Sequence, residues 1–214
     1  MTTAVRDTYH HGDLRRALLD AGIELARAGG PDAVVLREAT RRVGVSPNAA
    51  YRHFADREAL LADVCDAAQA ALAAAIDAEF ATIPEGEPGA TARLQLRAVG
   101  TAYVAFALDE PGLFRTAFFV PADLADAARP TRAGPSGRTP FELLTAALDE
   151  FVASGIMPPE RRPQAEFLAW SSVHGFATLL IDGPLRALPR EQADAVTQRV
   201  IDMVEAGFTA SLNE

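Results

Sequence analysis

Apolar positions recur at helical spacing along most of this 214-residue chain, and strand-type alternation is hard to find. Leu36, Ala39 and Val43 share one face of a short segment whose other face carries Arg37, Glu38, Arg41 and Arg42. Gly44 ends that segment, because a sharp left-handed turn favours a residue without Cβ, and Val45 can plug the gap behind it. Ser46 restarts the chain as an N-cap, with Pro47 at the first helical position, where its missing N–H costs nothing. This second segment reads as two turns, from Pro47 to about Phe54. Two turns are not stable alone, so Ala50 and Phe54 must pack inward and leave Asn48, Tyr51, Arg52 and His53 outside. Upstream, Ala17, Leu18, Ala21 and Leu25 predict a helix capped by Asp13 and ended by Gly29-Gly30-Pro31. Downstream, Pro and Gly breakers predict helices over 57–82, 91–108, a short one through 119, then 140–154, 162–181 and 189–212. Residues 121–140, rich in Pro, Gly, Ala, Arg and Ser, read as a loop with a helical turn at 123–128. The expected architecture is all-α. An N-terminal arm and three-helix helix-turn-helix domain (1–56) joins a C-terminal helical bundle (57–214).

A helix-turn-helix can be an ordinary αα-hairpin with a solvated arginine face, or a reader whose second helix enters the major groove. Charge distribution favours the reader. The chain is acidic, with a net charge of -9. Yet residues 1–60 hold nine Arg against eight acids, and the window 37–57 holds five against two, so the positive charge is concentrated on one hairpin. Asn48, Tyr51, Arg52 and His53 supply hydrogen-bonding groups suited to phosphates and base edges. The remaining 154 residues are long enough for a second domain with its own core. Its aromatics, among them Tyr103, Phe106, Phe114, Phe118, Phe119, Phe141, Phe151, Phe167, Trp170 and Phe176, either fill that core or line a ligand cavity. Cys65 is the single cysteine, which excludes an intrachain disulfide, and its apolar helical setting reads as a buried, inert thiol. There is neither an apolar signal core near the N-terminus nor a run of eighteen uncharged apolar residues, so a cytoplasmic protein without a membrane partner is expected.

Val43-Gly44-Val45-Ser46, Tyr51-Arg52-His53-Phe54 and Arg57-Glu58-Ala59-Leu60 together resemble the DNA-binding domain of the tetracycline-repressor (TetR) family of bacterial regulators. Tyr9-His10-His11-Gly12-Asp13-Leu14-Arg15 and Trp170-Ser171-Ser172-Val173-His174-Gly175 resemble a subgroup whose ligand domain carries a Trp-His-Gly signature. The resemblance implies that Arg37 reaches a base edge and that Pro47, Asn48 and Arg52 form the sequence-reading face. Tyr51, His53 and Arg57 match phosphate-contacting positions, with Ser46 adding a cap hydroxyl. Thr40 stands where a small Ala is frequent, and Arg57 replaces the commoner Lys. For the second domain the resemblance implies an effector sensor, with Tyr103, Phe106, Phe118, Trp170 and His174 near the cavity, and no metal or cofactor.

The last two helices carry apolar residues nearly all round (Phe167, Leu168, Val173, Phe176, Ala177, Leu180, Ile181) or as a stripe (Val196, Val200, Ile201, Val204, Phe208, Leu212). One subunit offers too few partners for both, which predicts a homodimer through these helices, with Ala169, Ser172 and Gly175 allowing close approach. Two heads about one helical turn apart, roughly 34 Å, read an inverted repeat. The expected function is therefore a ligand-responsive regulator: a repressor that holds a double-stranded operator and is released by a small, largely apolar effector. Two alternatives remain at this level. One is an enzyme using His174 with Glu166 and Asp182, although no HExxH, nucleotide-binding glycine motif or Gly-x-Ser-x-Gly elbow is present. The other is a ligand-independent architectural DNA binder.

Overall fold

The computed structural model describes residues 11–120 and 123–210, with side chains from Leu14 onward. Among these residues there is no strand. The helices are α1 (His11–Gly29), α2 (Leu36–Val43), α3 (Pro47–Ala50), α4 (Arg57–Phe80), α5 (Pro88–Asp109), α6 (Pro111–Phe118), α7 (Pro140–Ala153), α8 (Ala165–Ile181) and α9 (Arg190–Thr209). The chain thus has an N-terminal helix-turn-helix domain and a C-terminal helical domain.

Leu18, Leu25 and Ala26 of α1, Leu36 and Ala39 of α2, and Ala50 and Phe54 bury together, closed off by Leu60 and Val64 at the start of α4. Further along α4, Leu72 and Ile76 bury against the helical bundle. One helix therefore carries a single continuous core from the helix-turn-helix into the bundle. By length and composition α4 could cross a membrane, but half of its most apolar window is buried inside the fold against α1, α5, α6 and α7. Two of its acidic residues are paired as well, Asp63 with Arg15 at 2.6 Å and Asp66 with Arg132 at 2.7 Å. Apolar length here reflects the central helix of two layers rather than a lipid-facing rod.

Most breakers act where expected. Gly44 is left-handed (φ 75°), Asp56 caps α4 by accepting from the Ala59 amide at 2.8 Å, and Thr139 and Glu142 form a reciprocal capping box at α7. Four expectations need correction. The first helix begins at His11, so Asp13 is inside it rather than its N-cap. The second segment of the hairpin is α-helical only over Pro47–Ala50, and its continuation to Phe54 is a turn held by the His53 and Phe54 amides on the Ala50 carbonyl. The penultimate helix starts at Ala165, behind a 3-10 turn at Pro159–Arg161 and the positive φ of Gln164 (63°). The 121–140 segment also holds more structure than a loop with one turn. It carries 3-10 turns at Leu124–Ala128 and Pro130–Arg132, and Thr131 and Arg132 bind it to Asp66 of α4. Tyr9, His10 and Leu212 lie outside the described residues.

Candidate functional site

Two sites emerge, a polar tip on the helix-turn-helix and an aromatic cavity in the bundle. At the tip, the Gly44 and Val45 amides both donate to the Thr40 carbonyl, which folds the chain back so that α3 leaves α2 at a sharp corner. Ser46 Oγ accepts from the Ala49 amide at 3.4 Å, and Pro47 opens the helix. Phe54 anchors the far end, buried under the Arg15 guanidinium, which lies 4.8 Å from its ring centroid. Between these fixed points Pro47, Asn48, Tyr51 and Arg52 are exposed, Tyr51 by 57%, while His53 is half-buried.

Not all the arginines of the hairpin are equally available. Arg41 and Arg42 both turn to Glu38, at 2.6 and 3.5 Å, and the hydrogen bond from Arg41 draws the Glu38 carboxyl down to about 2. Arg37 and Arg52 are exposed and carry no ion pair among the described residues. Arg57 is committed elsewhere. Its Nε donates to the Val34 carbonyl at 2.8 Å and Nη2 to the Pro31 carbonyl at 2.7 Å, tying the α1–α2 connection to the start of α4. Arg57→Ala will therefore strand two carbonyls and lower unfolding stability by about 1–3 kcal/mol, whatever its effect on DNA. Urea denaturation without DNA checks this, and an unchanged midpoint would refute the bracing role.

The cavity, about 690 Å³, is walled by α4 to α9 and by the segment that precedes α7. Tyr103, Phe118, Trp170 and His174 all line it, together with Phe119, Phe141 and Phe167. Phe106 does not. The α5 stripe facing the cavity is Leu96, Val99, Gly100 and Tyr103, and Phe106 sits one turn further along as a buried core residue. Phe114 stacks on the His174 ring with centroids 5.7 Å apart and meets Tyr103 edge-on at 5.4 Å, so it backs the wall from the core side.

Trp170 Nε1 donates to the Tyr103 hydroxyl at 3.1 Å, and that oxygen lies 2.8 Å from His174 Nδ1. Indole can only donate, so the phenol oxygen accepts from Trp170, and the direction of its second hydrogen bond, with His174 Nδ1, follows the histidine tautomer. Burial favours the neutral forms of both rings, raising the Tyr103 phenol above its usual range and lowering His174 below its own. A depressed histidine contributes stability that is complete above the unfolded value near 6.5 and is lost as pH falls through the folded one. Acidification from about pH 7 to 5 will thus destabilise the wild type more than His174→Gln. Denaturant midpoints across that range test it, and parallel slopes would refute it.

Sequence reasoning missed Gln69 and Arg132, which also line the cavity. No periodicity marks either of them. Cys65 matches its expected setting, buried, with the thiol donating to the Thr116 carbonyl at 3.2 Å and desolvation pushing it up to about 11. The residues offered for an enzyme do not converge, since Glu166 pairs with Arg162 and Asp182 with Arg115.

The apolar surface of the last two helices is narrower than expected. Val173, Phe176, Ala177, Leu180, Ile201 and Phe208 are buried within the chain, and Ala169 lines the cavity instead of the outer face. What remains outside on α8 is Phe167 (38% exposed) and a strip of Leu168 (62%), the half-buried Ser172, Gly175 and Leu179, and on α9 Met203 and Gly207. A Cβ on Gly175 or Gly207 would meet no atom within 4 Å.

Comparison with known proteins matches both parts. The model of bacterial regulatory proteins of the tetR family covers residues 18–64, and that of the tetracyclin repressor-like C-terminal domain covers 96–204. No curated protein matches the chain. Among solved structures, a protein of unknown function from Rhodococcus sp. RHA1 is 29% identical over 96% of this chain and 100% of its own, with a TM-score of 0.74. A TetR-family transcriptional regulator from Pectobacterium atrosepticum is 17% identical over 96% and 99%, with a TM-score of 0.67. A TetR variant from Acinetobacter baumannii AYE, solved in complex with minocycline, is 19% identical over 96% and 99%, with a TM-score of 0.55. At these identities the last two share the fold alone. With the C-terminal match spanning just over half of its length and the N-terminal match falling on the helix-turn-helix, the chain belongs to the tetR family of bacterial regulatory proteins.

Proposed function

We propose that this regulator is a repressor that binds an inverted-repeat operator as a homodimer and releases it when a small, largely apolar effector fills the aromatic cavity. The observation that carries the reading is continuity. The exposed tip and the cavity share α4, and α6, which contributes Ala117 and Phe118 to the cavity wall, packs directly on α1 of the reading head. An effector that favours one placement of α6 and α4 thereby favours one spacing of the two heads, and heads at the wrong spacing cannot both enter the groove. Moving such a protein from mostly bound to mostly free needs on the order of 5 kcal/mol of preference.

In this reading Arg37, Asn48 and Arg52 read bases, with Pro47 shaping the entry of α3, and Tyr51, His53 and the helix start at Ser46 hold phosphates. Arg57 contributes to phosphate binding through Nη1 and to the head through its two carbonyl contacts. The strip of Leu168, Ser172, Gly175 and Leu179 joins two subunits through α8 and α9. We further assign the chain to the Trp-His-Gly subgroup, in which Trp170 and His174 are the signature residues, and place it in the cytoplasm as a non-catalytic protein. A ligand-independent architectural binder would have no use for a cavity of this size and aromatic content.

The test is selection of bound fragments from random DNA, followed by competition with a metabolite library. A recovered inverted repeat whose complex dissociates with one compound class supports the reading. Recovery of fragments without a shared palindrome, or complexes that no compound releases, would overturn the operator and effector parts respectively.

A further inference from the structure

One wall of the cavity carries a buried cation that ordinary core packing does not require. Arg132 lines the cavity and is only 8% exposed. Its Nε donates to Asp66 Oδ1 at 2.7 Å, while the Thr131 hydroxyl takes Asp66 Oδ2 at 2.6 Å and Arg129 Nη1 stands 3.8 Å from the same oxygen. Asp66 is fully supplied, and it clamps the guanidinium by one edge. The other edge, Nη1 and Nη2, has no hydrogen-bond acceptor among the described residues.

The other polar groups of the lining are mostly spent within the protein, the Ser171 hydroxyl among them on the Leu168 carbonyl. His174 engages Tyr103 through Nδ1, which leaves its Nε2, and the Trp170 N–H is already consumed. Gln69 spends its amide nitrogen on the Ala117 carbonyl, which leaves its Oε1 as an acceptor. Asp123, on the exposed rim, is the one carboxylate of the lining and is screened by solvent. A nearly buried guanidinium in the wall of an otherwise apolar space suits a ligand whose polar end is negatively charged.

We propose that the effector is a monocarboxylate with an apolar body, its carboxylate received by Nη1 and Nη2 of Arg132 and its hydrocarbon or aromatic part lying among Phe118, Phe141 and Trp170. The assignment rests on the sensor reading above and adds the charge class of the ligand. Asp66 is a positioning residue. By occupying Nε it leaves the two terminal nitrogens for the ligand, the edge that grips a carboxylate with two parallel hydrogen bonds.

Three probes matched in shape decide it, 5-phenylpentanoate, 5-phenylpentanamide and 5-phenylpentylamine, each titrated at pH 7 against the fluorescence of Trp170, the single tryptophan. The acid should bind at least about tenfold more tightly than the amide, and the amine more weakly than either. The Asp66→Asn/Arg132→Met double variant removes both buried charges, so neither is stranded. It should bring the acid-to-amide ratio close to one while leaving amide affinity within about twofold, with a cooperative urea transition showing that it folds. Amide or amine binding as tightly as the acid overturns the charge class and leaves the sensor reading intact, and so does a ratio that survives in the double variant. No saturable response to any of the three overturns both.

Discussion

Gly112→Ala will destabilise this protein by at least about 3 kcal/mol, with a fall in Tm of roughly 6–12 °C for a chain of this size. A Cβ at Gly112 would lie 2.3 Å from the Ala26 carbonyl oxygen and 2.5 Å from that of Arg27. Both are backbone atoms of α1, so no rotamer change relieves the clash, and one helix must move. The neighbouring contacts resist that movement. Arg27 Nε donates to both oxygens of Glu110, at 3.0 and 2.8 Å, and the Gly112 carbonyl accepts from the Thr116 hydroxyl at 2.8 Å. The consequence for regulation follows from position. The α1–α6 contact joins the reading head to a wall of the cavity, so prying it open should blunt effector-induced release of DNA more than it weakens DNA binding itself. Urea denaturation and effector titrations of the preformed DNA complex measure the two effects. A variant with wild-type stability would show that the approach of these helices is not tight, and a destabilised variant with unchanged effector response would show that the coupling runs elsewhere, through α4.

The reading head was legible in the sequence because its rules are local. Gly44, Ser46 and Pro47 each act on their own backbone, and each adopts the expected turn or cap. The length of α3 was misjudged for the same reason. Beyond Ala50 the chain is shaped by Phe54 entering the core under Arg15, a contact across 39 positions that helical periodicity does not register. In the bundle, aromatic content alone fits a core or a cavity, the resemblance implies the cavity, and Tyr103, Phe118, Trp170 and His174 line it. Separating Phe106 from Tyr103, however, requires knowing where along α5 the empty space stops. Arg132 is the clearest case of what periodicity cannot show. It lies in a segment with the composition of a loop, and its pairing with Asp66, 66 positions earlier, holds it at the chamber wall. The last two helices teach the converse lesson. Their apolar residues outnumber what a surface helix needs, but most are consumed by α5 and by one another, which leaves the strip centred on Gly175.

That strip supports the second large effect. Gly175→Glu should convert a dimer into a folded monomer. Within one chain a Cβ at this position meets no atom within 4 Å, and replacing glycine in a helix interior contributes about 0.5–1 kcal/mol of helix propensity, so the subunit should be no less stable than before. Across a two-fold axis running past Leu168, Ser172, Gly175 and Leu179 the same change places two carboxylates in a closely packed apolar seam, where burying unpaired charge costs several kcal/mol. Light scattering at micromolar concentration should report one 22.7 kDa chain instead of two. Because paired heads bind their second half-site as an intramolecular event, affinity for the inverted repeat should fall by at least about 100-fold, whereas binding to an isolated half-site, already weak, should hardly change. Quenching of Trp170 by a cavity ligand should persist, since Gly175 points away from the chamber that His174 and Trp170 line. A variant that remains dimeric would place the subunit interface on another surface. A monomer that still binds the full repeat with wild-type affinity would mean that one head suffices, and that the spacing mechanism proposed for release is wrong.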